Sequence, residues 1–322
     1  MKNVFTFLLL LFSLLCNGQS PKLFTTDKEL SSSLINQIYQ DRNGFIWIAT
    51  EDGLNRYDGA KFTIYKHEPN NEHSLAHNFV RTVFEDSKGH LLIGTYIGIQ
   101  MYDPATDNFT PLAKLEDTGE TLESNINSFI ERKNGEIWVS GNVLCKLDIK
   151  DHLLTVRKVD IAVTSPGSLF EDKKQNVWMA KGEEGVYQLT PDNQLTLHLS
   201  KDNGYVKSIC EDQRGNIYVG SIRKGLFIYD KERKTFVPID LKEKGELPVC
   251  FLYSGIPNEL YIGTDGKGVV IYNIRTHEIS EYKFDNNYFD SGNSKIHSIL
   301  KDNSGNLWLA VYQKGVILIP AR

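Results

Sequence analysis

The chain has 322 residues, of which 40% are hydrophobic and 24% are charged, an ordinary composition for a globular protein. Its formal net charge at pH 7 is -5, and no block of basic residues occurs along the chain. Because nucleic-acid binding requires a concentrated positive surface, no nucleic acid is expected as a partner.

The first 20 residues have the pattern of a secretory signal peptide. Lys2 supplies the positive start, residues 4–15 form the apolar segment, and residues 16–18 offer a cleavage site. We predict that residues 1–18 are removed and that the mature chain, residues 19–322, is periplasmic or otherwise extracytoplasmic. The apolar segment is shorter than the about 20 residues that a membrane span needs. A lipid anchor on Cys16 is the less favoured alternative, because Leu15 is a poor residue before a lipidated cysteine.

Residues 34–66 contain four short segments that are rich in β-forming residues and are separated by Gly, Asp or Asn. The segments are 36–41, 43–50, 53–58 and 61–65, which we call strands a, b, c and d. Short strands with turn residues between neighbours are typical of an antiparallel meander. We therefore predict one four-stranded sheet in this part of the chain.

This unit occurs seven times in all, at intervals of 40 to 47 residues, which is the length of a four-stranded propeller blade. A large residue marks strand b of each unit, at Trp47, Leu92, Trp138, Trp178, Tyr218, Tyr261 and Trp308. A glycine opens strand c in six of the units, at Gly53, Gly98, Gly185, Gly225, Gly268 and Gly315. The predicted blades span about 34–66, 76–113, 123–159, 165–199, 204–239, 246–284 and 293–319.

The ends of the chain predict how the ring closes. The seventh unit ends at strand c, residues 315–319, while residues 22–27 resemble a strand d that lacks its own blade. Pairing these two segments removes exposed edges from the terminal blades. We therefore predict an all-β, seven-bladed propeller of four-stranded antiparallel blades, with an N-terminal strand that completes the last blade.

Residues that recur in one position of several blades are assigned to the scaffold. The four tryptophans share the strand-b position, so we expect them to pack between blades. An aspartate precedes the a–b turn in five units, where a carboxylate can accept hydrogen bonds from turn amides; these residues are Asp41, Asp86, Asp172, Asp212 and Asp302. The cysteines of the mature chain, Cys145, Cys210 and Cys250, lie in apolar runs, with spacing that fits neither a disulfide framework nor a zinc site.

Polar residues that differ from blade to blade are the candidate ligand-binding residues. Strand a is innermost in a propeller, so its first residues face the central channel. Counting five residues back from the acidic position gives Asn36, Arg81, Asn127, Gly167, Lys207, Val249 and His297. The polar members of this set are candidates, together with the b–c loop residues Tyr96, Arg223, Lys224, Lys267 and Tyr312. The cations suit a carboxylate- or sulfate-bearing sugar, and the tyrosines suit stacking on a sugar ring.

The run from Gln40 to Asp58 resembles the two-component regulator propeller repeat. It has an acidic residue, a glycine turn, a Trp flanked by aliphatic residues, a Thr, then Gly-Leu and an aromatic residue followed by Asp. Residues 85–103, 211–230 and 301–319 match less completely, and the resemblance extends over about 22–322. It implies the periplasmic sensor part of a Bacteroides-type hybrid two-component system that responds to oligosaccharides. The partners it implies are an oligosaccharide and a second propeller or other domain of the same sensor. The candidate cations extend the expected ligands to acidic oligosaccharides, and a homodimer formed through downstream domains is a further expectation.

Three functions remain open at this point. The first is a non-enzymatic sensor, either the first propeller of a longer protein or a free-standing relative, and the second is a scaffold that binds only proteins. The third is a polysaccharide lyase or glycosidase with His297, Lys207 or an acidic loop residue as catalyst. The chain lacks His-Glu-x-x-His, Gly-x-Ser-x-Gly and Cys-x-x-Cys motifs. We therefore expect no catalytic site, no metal and no cofactor, and we favour the sensor.

Overall fold

The computed structural model describes residues 20–199, 204–241, 247–284 and 290–321. The predicted signal peptide lies outside these residues. The described part of the chain forms seven separate β-sheets arranged as the blades of a propeller, which confirms the predicted fold. No helix in the described ranges is long and apolar enough to cross a membrane.

The first three complete blades follow one another along the chain, each running from an inner strand a to an outer strand d. Blade 1 contains β2 (Ile35–Gln40), β3 (Ile46–Thr50), β4 (Gly53–Tyr57) and β5 (Phe62–Tyr65). Blade 2 contains β6 (Val80–Glu85), β7 (Leu91–Thr95), β8 (Ile99–Asp103) and β9 (Asn108–Phe109). Blade 3 contains β11 (Ser128–Glu131), β12 (Ile137–Ser140), β13 (Leu144–Lys150) and β14 (Leu153–Lys158). A short β10 (Lys114–Leu115) pairs in parallel with β14, so this blade has five strands rather than four.

Blades 4 to 6 repeat the same order. Blade 4 contains β15 (Leu169–Glu171), β16 (Val177–Lys181), β17 (Gly185–Leu189) and β18 (Leu195–Leu199). Blade 5 contains β19 (Val206–Glu211), β20 (Ile217–Ser221), β21 (Gly225–Asp230) and β22 (Thr235–Pro238). Blade 6 contains β23 (Val249–Ile256), β24 (Glu259–Thr264), β25 (Val269–Asn273) and β26 (Ile279–Glu281). A short 3-10 helix, Ser291–Asn293, leads into blade 7.

Blade 7 closes the ring with strands from both ends of the chain. It contains β27 (Ile296–Lys301), β28 (Leu307–Val311), β29 (Gly315–Ile319) and β1 (Lys22–Phe24). The outer strand β1 pairs antiparallel with β29, with Leu23 opposite Ile317 and Phe24 opposite Val316. The predicted closure by an N-terminal strand is therefore confirmed. Gly315, at φ +117°, is needed here because a Cβ would lie 2.1 Å from the carbonyl oxygen of Phe24.

The recurring tryptophans and aspartates form one structural unit within a blade. Trp47 is fully buried, and its indole N–H donates to Asp41 Oδ2 at 2.8 Å. Asp41 Oδ1 accepts the amides of Asn43 and Phe45, so one buried carboxylate joins the a–b turn to the strand-b aromatic. The same arrangement links Trp178 with Asp172 and Trp308 with Asp302. Because burying the indole N–H without an acceptor is costly, the aspartate and the tryptophan belong together in the scaffold.

Candidate functional site

A β-bulge opens strand a in five blades, so that two residues of strand a face one residue of strand b. The register shifts between Ile35 and Gln37, and in the same way at Val80/Thr82, Val206/Ser208, Val249/Phe251 and Ile296/Ser298. The residue between each pair is the extra one, namely Asn36, Arg81, Lys207, Cys250 and His297. A bulge redirects a side chain that regular pairing would place elsewhere. Here the extra residues line a common cavity at the mouth of the central channel.

This channel cavity has a volume of about 380 Å³. Blades 3 and 4, which lack the register shift, contribute Asn127 and Gly167 to the wall. The structure therefore brings together Asn36, Arg81, Asn127, Lys207 and His297 from the ten candidates predicted from the sequence. Sequence reasoning missed Tyr205, which precedes β19 and also lines the cavity, and Lys181 at the end of β16 is a further wall residue.

For blade 6, the sequence prediction placed the channel-facing residue of strand a one position too early. Val249 is fully buried and packs onto Gly220, whereas Cys250 lines the cavity. The spacing rule failed because blade 6 has Ser254 in place of the usual aspartate and because β23 has a second register shift between Tyr253 and Ile256. Counting from the turn therefore gave the wrong residue, although counting from the first bulge gives the right one.

Arg81 and Lys207 are the two cations of the channel wall that lack an acidic partner. Among the described residues, neither side chain has a carboxylate within ion-pair distance, and Arg81 lies over the Phe79 ring at 5.8 Å. Lys207 is reached by solvent through the channel, yet crowding by neighbouring atoms lowers the pKa of its ammonium group. The positive charges of Arg81 and Lys295 add to that lowering. The channel mouth is thus an electropositive spot on an acidic protein.

His297 lies against the same positive groups and is neutral at pH 7. Burial, followed by the charges of Lys295 and Lys207, lowers the pKa of His297 to about 4. Its ring packs against Tyr312, with the ring centroids 5.1 Å apart. Lys295 pairs with Asp265 at 2.7 Å and lies over the Tyr312 ring. Tyr312 therefore joins the channel site at its rim.

The remaining predicted residues lie on the same face but outside the channel cavity. Arg223 faces Glu183 at 3.6 Å across a neighbouring surface pocket, with both side chains exposed. Lys224 lies beside Gly204, and the Lys267 amide donates to Thr264 Oγ1 at 2.9 Å. Tyr96 is 53% exposed and packs loosely against His77 and Phe79. Of the exposed tyrosines, Tyr205 lines the channel cavity, Tyr312 contacts His297 at its rim, and Tyr96 lies outside it.

The described residues contain no group of three or more His, Cys, Asp or Glu side chains placed to hold a metal ion. The channel wall therefore offers hydrogen-bond donors, two unpaired cations and a neutral imidazole. Such a wall can bind an anionic, polar ligand by charge and hydrogen bonds.

The fold and its site define a seven-bladed propeller with a polar, electropositive channel mouth. The family model of the two component regulator propeller matches residues 29–52, 74–96 and 200–223. The resemblance predicted from Gln40 to Asp58 is therefore confirmed. A curated relative, histidine kinase P4 from Formosa agariphila, is 37% identical over 83 residues, which cover 24% of this chain and 6% of the kinase.

Solved structures share the fold at low sequence identity. The extracellular domain of the hybrid two component system BT3049 from B. thetaiotaomicron matches with a TM-score of 0.78 and 21% identity, over 93% of this chain and 41% of that one. The extracellular domain of BT4673 from the same organism matches with a TM-score of 0.76 and 17% identity, over 95% and 43%. A virginiamycin B lyase from Staphylococcus aureus matches with a TM-score of 0.71 and 12% identity, over 94% and 99%. The chain therefore spans less than half of the two extracellular domains that it resembles.

Proposed function

We propose that the chain is the ligand-binding propeller of an extracytoplasmic sensor, and that an acidic oligosaccharide binds at the channel mouth. The observation that carries this proposal is the pair Arg81 and Lys207, which β-bulges direct into one cavity without a carboxylate partner among the described residues. Like charges gathered in one cavity repel each other, so an anionic ligand relieves that repulsion. Arg81 is suited to grip a carboxylate or sulfate through two hydrogen bonds.

The rest of the wall supports a sugar rather than a bare anion. Asn36 and Asn127 offer amide groups, although the Asn36 amide also donates to the Val80 carbonyl and the Asn127 amide to Pro166. Tyr205 and Tyr312 are 40% and 38% exposed beside the channel and supply flat apolar faces. A cavity of this kind, with a few fixed polar groups and aromatic edges, is typical of small-molecule sites.

The relatives support the cellular role. Domains of similar fold are described as extracellular parts of hybrid two component systems, and the kinase relative is far longer than the stretch it shares with this chain. In this proposal the propeller is extracytoplasmic and non-enzymatic, and a second propeller or another domain of the same sensor is its partner. Dimerisation through such further domains belongs to the same proposal.

The test is calorimetric titration of a sulfated or uronic-acid disaccharide, and of its neutral counterpart, into the mature chain. An Arg81→Gln/Lys207→Gln variant is compared with an Arg223→Gln/Lys224→Gln variant, which removes two exposed cations from the same face. We expect the channel variant to lose about tenfold or more in affinity, because each charged hydrogen bond contributes about 1.5–3 kcal/mol. The rim variant is expected to change affinity little, and binding of the acidic sugar is expected to weaken at high salt.

Three outcomes contradict this proposal. Equal binding of the acidic and neutral sugars shows that charge does not select the ligand. A larger loss in the rim variant than in the channel variant moves the site to the neighbouring pocket. Cleavage of the sugar during titration, if His297→Ala abolishes it, identifies a lyase-like enzyme. Such an enzyme is the second candidate function, which the fold shared with virginiamycin B lyase and the neutral channel histidine favour.

A further inference from the structure

Aromatic side chains fill the outer gap between neighbouring blades, and the repeats allow two of these gaps to be compared. Between blades 1 and 2, Trp47 packs against Tyr65 of the same blade and against Tyr102 of the next, with centroids 5.9 and 4.9 Å apart. Between blades 4 and 5, Trp178 packs in the same way against His198 and Tyr229, at 5.3 and 4.9 Å. The aromatic rings around the two gaps therefore have the same arrangement.

A carboxylate occupies the centre of the blade 1–2 gap. Asp107 stands in the c–d turn of blade 2 at φ +53°, and its Oδ1 accepts from the hydroxyls of Tyr65 and Tyr102 at 2.6 and 2.5 Å. The same oxygen lies 3.0 Å from Nη1 of Arg56, the strand-c residue opposite Trp47. Two hydroxyls and a guanidinium thus converge on one carboxylate oxygen.

The blade 4–5 gap keeps the strand-c hydroxyl, at Tyr229, but lacks the carboxylate. His198 stands in place of Tyr65, and its ring nitrogens lie 2.7 Å from Gln188 Oε1 and 2.9 Å from the Lys234 carbonyl oxygen. Lys234 stands at the position of Asp107, five residues after the strand-c tyrosine and at φ +51°. Gln188, opposite Trp178, replaces Arg56. Among the described residues, the Tyr229 hydroxyl has no hydrogen-bond partner. In blade 6 the same turn position holds His277, whose Nδ1 lies 2.6 Å from the Tyr272 hydroxyl, so this position contacts the strand-c tyrosine in blades 2 and 6.

These replacements leave an open cleft of about 720 Å³ between blades 4 and 5. Five cationic side chains line the cleft, against only two acidic ones, Asp172 and Glu211. The Asp172 carboxylate is already held by Asn176 and Trp178, and Glu211 accepts the Lys173 amide. Lys174, Lys231 and Lys234 have no carboxylate partner among the described residues. Leu197, 46% exposed, adds an apolar wall.

We propose that the blade 4–5 cleft is a second ligand site, which binds a small carboxylate with an apolar ring or chain. The carboxylate takes the place that Asp107 fills in the blade 1–2 gap, accepts a hydrogen bond from the Tyr229 hydroxyl and lies among the lysines. The apolar body lies against Leu197 and the edge of Trp178. The cleft and the channel cavity share no lining residue, so this site is independent of the proposed sensor site.

The test uses naphthalene-2-carboxylate and 2-naphthamide, which have the same body and differ in the negative charge. Binding to the mature chain is measured by ligand-observed NMR and calorimetry. The decisive variant is Lys234→Asp, which restores the carboxylate of blade 2 and is tolerated at positive φ by an aspartate. Lys234→Gln removes the charge without supplying a carboxylate, Tyr229→Phe removes the hydroxyl, and Arg81→Gln/Lys207→Gln alters only the channel site.

We expect the carboxylate to bind at least about tenfold more tightly than the amide, because a single charged hydrogen bond contributes enough free energy for that difference. Lys234→Asp abolishes binding, Lys234→Gln and Tyr229→Phe weaken it severalfold, and the channel variant binds as the wild type does. Equal binding of the two compounds, no binding at millimolar concentration, or unchanged binding in Lys234→Asp overturns the proposal. Loss of binding in the channel variant alone assigns the carboxylate to the channel site and likewise overturns it.

Discussion

Adjacent residues at the start of strand a have separate tasks. In blade 7, Ile296 is buried, His297 faces the channel, and Ser298 Oγ accepts the amide of Ile38 from blade 1 at 3.1 Å. Gln37 accepts the Val83 amide in the same way, and Ser208 accepts that of Leu252. In blades 1, 5 and 7 the residue after the bulge thus ties its blade to the next one, which holds the channel-facing side chains of these blades in fixed positions.

His297 is expected to make the stability of the propeller sensitive to acid. Burial and two nearby cations lower its pKa to about 4 in the folded chain, whereas an unfolded histidine titrates near pH 6.5. Because only the unfolded state takes up the proton in this window, stability falls as the pH drops from about 6.5 toward 4. Urea unfolding at pH 7 and pH 4.5 is expected to show an extra loss of about 2 kcal/mol in the wild type relative to His297→Gln. Identical losses in both proteins contradict the assignment of a neutral, partly buried His297.

Glycines at the start of strand c allow strand d to cross close to the backbone. A Cβ at Gly53 would lie 2.9 Å from the Tyr65 carbonyl oxygen, and one at Gly315 would lie closer still to that of Phe24. In both blades, glycine is therefore needed for two reasons: it leaves room for the backbone of the outer strand, and it adopts the positive φ without strain. This explains in physical terms why a glycine recurs at this point of the repeat.

Gly315→Ala is expected to destabilise the protein far more than Gly135→Ala. Both glycines have positive φ, at +117° and +82°, but a Cβ at Gly135 meets no atom within 4 Å. Positive φ alone costs an alanine about 1–2 kcal/mol, and the clash with β1 adds to this at Gly315. Thermal unfolding of the two variants measures the difference. Equal melting temperatures would show that the outer strand shifts aside at no cost.

The ring depends on contacts between the two ends of the chain. Phe24 of β1 is fully buried, stacks on Trp308 at 5.8 Å and also meets Tyr57 and Phe62 of blade 1. One side chain from the N-terminal strand therefore fills the gap between the last blade and the first. Loss of that strand exposes both an aromatic cluster and the edge of β29.

Phe24→Ala is expected to lower the free energy of unfolding by about 3–5 kcal/mol, because it leaves a cavity among aromatic rings. Leu23→Ala, one residue earlier and only partly buried, is the matched control and is expected to cost less. Deleting residues 19–29 is expected to lower the melting temperature more than either change. A deletion variant that melts like the wild type would contradict closure by β1.

The sequence by itself determined the blade count, the closing strand and the scaffold positions. These features follow from a repeated pattern of aromatic, acidic and glycine residues, since each blade must bury the same faces and make the same turns. It also indicated Asn36, Arg81, Asn127, Lys207 and His297, because the start of strand a has a constant distance from the turn. Only the tertiary structure decided which of these positions share a cavity, and it replaced Val249 with Cys250. The bulges, the partner of each charge and the open gap between blades 4 and 5 arise where blades pack against each other, and those contacts join residues about 40 positions apart.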